Sequence, residues 1–174
     1  MRRRRLLAAS FAAVIASSAC HGEPAQPSPI PASIFSPAPL ENLGCPVGRI
    51  HGVAISAEDS MQAMHGLLPR LLPVGFGVVT AWRPSRRQPD AGVAWAAAGC
   101  RTIVLRLSRP AGTPPSGQRV GAWSLVRRAM CGNGPLRGVP CLTYRARTDE
   151  GVLSLATVGL STEESDAVAV SFRL

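Results

Sequence analysis

The sequence has 174 residues, of which 46% are hydrophobic, and its 19 basic residues against 10 acidic ones give a formal charge of +9. This length suits one folded domain and leaves little room for a second. The apolar content excludes a chain that is disordered throughout. Every basic residue is Arg, and without the four at residues 2–5 the charge falls to +5. So mild a bias does not indicate a nucleic-acid binder.

The first 19 residues have the composition of a cleavable signal peptide. The arginines at residues 2–5 form a positive n-region, residues 6–16 an apolar h-region, and residues 17–19 supply small side chains before a cleavage point. The apolar run is too short for a permanent transmembrane helix, which needs about 20 residues. We therefore expect residues 1–19 to direct export and then to be removed.

Cys20 follows the small residues directly, and this arrangement resembles the signal of bacterial lipoproteins. In such a signal the cysteine is lipidated and becomes the new N-terminus. Ser17 departs from the pattern, since an aliphatic residue is usual there, and Ser17 with Ala19 also suits an ordinary signal peptidase. Lipidation is favoured because four cysteines remain without Cys20, an even number suited to an oxidising compartment. We expect attachment to the outer face of the cell membrane, with secretion as the alternative.

Residues 20–44 are predicted to form the lipid-anchor cysteine and a proline-rich tether. Six prolines fall within residues 21–39, and each removes an amide donor and fixes φ. The chain up to about Leu40 should therefore lack regular structure and make few contacts with the domain. The folded domain is expected over residues 45–174.

The first half of the domain is predicted to contain one helix and three strands. Ser56 is a suitable N-cap, and apolar residues then recur at helical spacing over residues 57–72. Side chains alternate in size and polarity at residues 74–82, 93–97 and 102–107, which predicts strands. The second and third strands are separated by a segment short enough for a hairpin.

The second half is predicted to end in a helix. Residues 118–130 fit both periods, so a helix is favoured there and a strand is the alternative. Strands are expected at residues 142–146 and 151–158, joined by a hairpin turn. Ser161 begins a capping box that predicts the last helix, although alternation in the final residues keeps a strand as the alternative. Together these elements predict an α+β domain, with a mostly antiparallel sheet of about five strands and helices on one face.

The four remaining cysteines predict a disulfide-stapled domain. Cys131 and Cys141 flank a loop rich in Gly and Pro, so its ends can meet at disulfide distance. Cys45 is then paired with Cys100 by elimination. The spacing contains no C-x-x-C, which argues against zinc. We expect no metal and no cofactor.

No catalytic motif is recognisable in the sequence. G-x-S-x-G, H-E-x-x-H and G-x-x-x-x-G-K are all absent. His65 lies on the apolar side of the first predicted helix, and His51 flanks a loop near Cys45. A secreted hydrolase or a hydrolase inhibitor is the alternative function, and a pocket that placed His51 beside a carboxylate would favour the enzyme.

One predicted loop carries an aromatic and three basic side chains: Trp82, Arg83, Arg86 and Arg87. Guanidinium groups suit phosphate or carboxylate, and an exposed Trp can stack. The loop therefore predicts a contact surface for an anionic envelope component or another envelope protein, and not for nucleic acid. The signal, tether and composition resemble those of small bacterial lipoproteins of unknown role. The expected function is that of a lipid-anchored accessory or binding protein without catalysis.

Overall fold

The computed structural model describes residues 34–38, 53–64, 66–109, 116–130 and 140–174. Eight strands form one sheet, in which every neighbouring pair is antiparallel. The strands are β1 Val53–Ile55, β2 Gly77–Arg83, β3 Ala91–Ala97, β4 Arg101–Ser108, β5 Gln118–Val120, β6 Trp123–Met130, β7 Pro140–Thr148 and β8 Gly151–Val158. The two described α-helices are α1 Ala57–Ala63 and α2 Thr162–Val170.

The sheet consists of two four-stranded meanders joined edge to edge. Its strand order is β1-β2-β3-β4-β8-β7-β6-β5, so each half follows the chain and the halves meet where β4 pairs with β8. Leu105 and Leu155 are register partners at this junction, and both are fully buried. The centre of the core therefore lies at the seam between the two halves.

The prediction of an α+β domain with about five strands is wrong, because the described fold is mostly one eight-stranded sheet with two helices. Five strands were expected near their observed places, and the three that were missed are β1, β5 and β6. Strand β1 is only three residues long, too short for a recognisable alternation. The other two lie in the region where a helix was favoured.

Residues 118–130 form the β5–β6 hairpin because Gly121 reverses the chain. Gly121 has φ of +59°, a left-handed conformation that glycine adopts without the penalty of a Cβ. The turn leaves Val120 and Trp123 as register partners, so two apolar residues three positions apart share one face. An irregularity between Leu125 and Arg127 then shifts the alternation. Because of the turn and this bulge, the apolar residues of this segment recur at a spacing that also fits a helix.

The first helix is shorter than predicted. Helix α1 begins after Ser56, whose side chain accepts a hydrogen bond from the Asp59 backbone N–H, but it ends at the C-cap Met64. Leu68 and Leu72 are buried without being helical. Each precedes a proline, Pro69 or Pro73, and the residue before a proline is disfavoured in helical geometry. Their spacing reflects contact with the core. The following strand also starts later, at Gly77, because Val74 lies in a turn and is 97% exposed.

The C-terminal helix and the two predicted hairpin turns are confirmed. The Ser161 hydroxyl accepts from the Glu164 backbone N–H, and the Glu164 carboxylate accepts from the Ser161 backbone N–H. This capping box satisfies two donors at the helix start.

Strands β7 and β8 are joined at a tight turn with Thr148 paired to Gly151. Helix α2 packs on the sheet through Phe172, just beyond its end, whose ring meets that of Trp123 edge to face at 5.0 Å.

One face of the sheet, here called the core face, carries the hydrophobic core. Alternate residues of the strands point to it, and α1, α2 and the segment from Met64 to Phe76 cover it. The largest fully buried sheet side chains of this face are Trp95, Trp123, Tyr144, Ile103, Leu105, Leu153 and Leu155. The opposite side, here called the outer face, carries Trp82, Arg106, Arg145 and Arg147 by the same register.

The expectation of a tether with few contacts is wrong for residues 34–38. Pro37 forms a parallel bridge with Val78, and the Ala38 backbone N–H donates to the Val78 carbonyl at 2.9 Å. Ile34 is 1% exposed, and its carbonyl accepts from the Trp95 indole N–H at 2.8 Å. This segment is part of the folded domain. The signal and the other predicted tether residues, including Cys20, lie outside the described residues.

The expectation of a disulfide-stapled fold also needs correction. No disulfide joins two of the described residues, and the strands are held together by their backbone hydrogen-bond ladders. Cys100 and Cys141 are each disulfide-bonded. Their predicted partners, Cys45 and Cys131, lie outside the described residues, so the two proposed pairs remain untested.

Candidate functional site

Trp82 is not part of an exposed loop. It belongs to β2 and is fully buried on the outer face, so the prediction that it contacts a ligand is corrected. Its register partner is Gly92, and a Cβ at Gly92 would lie 2.1 Å from Cζ2 of the indole. The Arg106 guanidinium lies 5.9 Å from the centroid of the ring. The indole is thus buried and cannot stack on a ligand.

The loop from Pro84 to Asp90 presents Arg86 and Arg87 to solvent. Its tip is ordered by Ser85, whose backbone N–H donates to the Gln88 carbonyl at 2.8 Å and whose hydroxyl accepts from the Gln88 backbone N–H at 3.2 Å. Neither guanidinium forms an ion pair with a described residue. The two arginines are therefore displayed at a compact turn, away from any described cavity.

Arg83 is the predicted site residue that lines a cavity. The cavity has a volume of about 530 Å³ and lies at one end of the sheet, between α1 and the loop after β2. Its polar lining comes from Arg83, Asp59, Gln62 and Arg109, and the apolar residues include Ala91 and Leu107. Ligand pockets of this size are usually apolar with a few polar groups that fix orientation.

The local folds explain how these side chains meet. The Ser56 cap starts α1 beside β2 and so places Asp59 and Gln62 over the end of the sheet. Ala91 and Leu107 are register partners in β3 and β4, and both are buried, so they give the cavity a fixed floor. Arg83 closes β2. The cavity is therefore built mainly on regular elements.

The two cations of the cavity differ in their partners. Arg109 is engaged, since its Nε donates to the Glu150 carbonyl at 2.9 Å and its terminal nitrogen pairs with the Glu150 carboxylate. Arg83 is exposed and forms no ion pair with any residue that the structure describes. Asp59 likewise has no described ion-pair partner for its carboxylate. The cavity thus offers one available guanidinium, one available carboxylate and the Gln62 amide above an apolar floor.

The other candidate groups do not extend this site. His51, His65 and Cys20 lie outside the described residues, so the structure leaves open a Cys–His or His–carboxylate arrangement that includes them. Among the residues described, no group of three His, Cys, Asp or Glu side chains is placed to hold a metal ion. The chemistry visible in the cavity is recognition of charged and hydrogen-bonding groups.

No protein-family model matches this sequence, and no curated protein or solved structure matches it either. No helix within the described ranges is long and apolar enough to cross a membrane.

The sequence indicates Arg83 as a site residue but not the other residues that line the cavity. Asp59 and Gln62 fall within the first turns of the predicted helix, and Arg109 lies just beyond the predicted strand at residues 102–107. For Trp82, the sequence does indicate a place in the sheet, since Trp82 continues the alternation that predicts the strand at residues 74–82. That alternation places the indole on the sheet instead of in the loop, which begins only at Pro84.

Proposed function

We propose that this chain is a cell-surface lipoprotein whose domain binds an anionic envelope component without transforming it. The observation that carries the proposal is the position of Arg83, an exposed guanidinium without a described ion-pair partner at the wall of an apolar-floored cavity. A guanidinium presents its donors in a planar fork that matches phosphate and carboxylate.

The cavity fits a ligand with an anionic head and an apolar body. Arg83 would hold the anion, while Ala91 and Leu107 provide a surface for the apolar part. The Asp59 carboxylate can accept hydrogen bonds from hydroxyl groups beside the anion, and the Gln62 amide can either accept or donate them. A phospholipid with a phosphate and a polyhydroxyl headgroup has all three features, and the membrane expected next to Cys20 would supply it.

Attachment and binding are tested on the full-length chain. Cys20→Ser should move the protein from the membrane fraction to the soluble exported fraction. Retention of the variant in the membrane fraction would contradict lipid anchoring. Short-chain phosphatidylglycerol is the probe for the cavity in isothermal titration. Arg83→Gln should weaken its binding roughly tenfold, the value of one charge-assisted hydrogen-bonding interaction.

Arg86→Gln is the matched control, since it removes the same charge three residues further along, from the loop after β2 and not from the cavity. It should bind within twofold of the parent chain. Equal losses for Arg83→Gln and Arg86→Gln would show general attraction to a basic surface and would refute the assignment of the cavity. Hydrolysis of the probe by the parent chain would refute the non-catalytic function.

A further inference from the structure

The outer face carries a row of alternating arginines and serines that crosses five strands. Arg106 in β4 pairs with Ser154 in β8, Ser154 with Arg145 in β7, Arg145 with Ser124 in β6, and Ser124 with Arg119 in β5. Register partners in an antiparallel sheet project from the same face. The five side chains therefore form one line perpendicular to the strands.

Both described helices pack on the other side of the sheet, and the charges of the row are accessible. Arg119 and Arg145 are exposed, as is Arg147, which follows Arg145 on the same face of β7. Arg119 donates to the Ser124 hydroxyl at 3.5 Å, whereas Arg145 and Arg147 form no ion pair with a described residue.

The first arginine of the row is the exception. Arg106 lies 3.7 Å from a carboxylate oxygen of Asp90 and stacks near the buried Trp82 ring, so its charge is partly compensated. The cations without a described ion-pair partner are Arg145 and Arg147 in β7 and Arg119 in β5. The half of the outer face formed by β8, β7, β6 and β5 is therefore the strongly basic one.

The sheet fixes the distance between these charges. Adjacent strands are about 4.8 Å apart, so arginines on every second strand recur at about 10 Å. That distance is comparable with the length of a disaccharide. Between the arginines, Ser154 is partly exposed and can offer its hydroxyl to the intervening sugar, whereas Ser124 is buried and supports the neighbouring Arg119.

We propose that the outer face binds a linear anionic polysaccharide with a carboxylate on alternate sugars, lying across β4, β8, β7, β6 and β5. Charge complementarity carries the proposal, since guanidinium forks pair with carboxylates. The periodic spacing selects a polymer over a small anion. This surface lies on the opposite side of the sheet from the residues that line the Arg83 cavity, so the proposal stands independently of the function proposed for that cavity.

The test uses the full-length chain and a hyaluronan octasaccharide, a soluble polymer with one carboxylate for each disaccharide, at physiological salt. The double variant Arg145→Thr with Arg147→Thr keeps residues suited to a strand and should weaken binding about five- to twentyfold. Each exposed guanidinium–carboxylate contact is expected to contribute a factor of roughly two to five.

The double variant Arg86→Thr with Arg87→Thr is the matched control, since it removes the same charge from an exposed loop. It should bind within twofold of the parent chain, and dextran, which is neutral, should not bind. Equal losses in both double variants, or tighter binding of inorganic polyphosphate than of the octasaccharide, would overturn the proposal.

A second measurement needs no variant and so does not depend on folding. Phenylglyoxal modifies accessible arginines, and mass spectrometry locates the product. The octasaccharide should protect Arg145 and Arg147 of the parent chain at least threefold while leaving Arg86 unprotected. Equal reactivity of all three with and without the octasaccharide would equally overturn the proposal.

Discussion

Replacing Ile34 with Ala should destabilise the domain, because this residue fixes the N-terminal segment to the core. Ile34 is 1% exposed and belongs to the main hydrophobic cluster. The substitution removes three buried carbons, and at about 0.8 kcal/mol for each the transfer loss is about 2.4 kcal/mol. The cavity left behind raises the expected loss to about 3 kcal/mol. For a domain of this size the melting temperature should fall by about 10 °C.

Urea denaturation of the full-length chain, followed by tryptophan fluorescence, measures this loss directly. Val74→Ala is the control, because Val74 is a 97% exposed apolar residue and its truncation should change the free energy of unfolding by less than about 0.5 kcal/mol. Trp95 also reports on the segment, since its indole N–H donates to the Ile34 carbonyl. If Ile34→Ala were as mild as Val74→Ala, residues 34–38 would be a loose tether and the packing argument would be refuted.

Two further substitutions test the sheet and the second helix. Gly92→Ala places a Cβ against the buried Trp82 indole and should lower the free energy of unfolding by about 1–3 kcal/mol; an unchanged urea midpoint would contradict the close approach of the two strands. The pKa of Glu164 is lowered by the hydrogen bond from the Ser161 backbone N–H and by that from Arg101. Because its folded-state pKa lies below the ordinary 4.5, its stabilisation is present above that pH and is lost as pH falls through the lowered pKa. Glu164→Gln should therefore reduce the acid-induced fall in melting temperature, and parallel pH profiles for both proteins would refute this assignment.

The strands that the sequence predicts are those in which one face is clearly apolar. Ile103, Leu105 and Leu107 alternate with more polar residues because one side of β4 meets the core, so the period of two is visible. The β5–β6 hairpin was not predictable in the same way. Gly121 and the bulge after Leu125 depend on how the two strands pair, and their combined spacing copies that of a helix.

In the candidate site, too, the sequence indicates what depends on neighbouring residues in the chain, but not what depends on contacts between distant residues. Arg83 was identified because it lies beside other arginines in the chain. Its cavity partners Asp59 and Arg109 are 50 positions apart in sequence, and only the path of α1, β2 and β4 brings them together. Burial of Trp82 was likewise decided by its neighbour across the sheet, Gly92.

The proposed function requires that the cavity beside Arg83 bind an anionic, partly apolar ligand. Nuclear magnetic resonance of the isotopically labelled full-length chain, titrated with short-chain phosphatidylglycerol, tests it most directly. The largest saturable shifts of backbone amides should occur at Asp59, Gln62, Arg83 and Ala91, and Arg83→Gln should raise the ligand concentration needed for half-saturation roughly tenfold. Shifts confined to the amides of Arg86 and Arg87, or equal shifts with short-chain phosphatidylcholine that persist in Arg83→Gln, would contradict the claim.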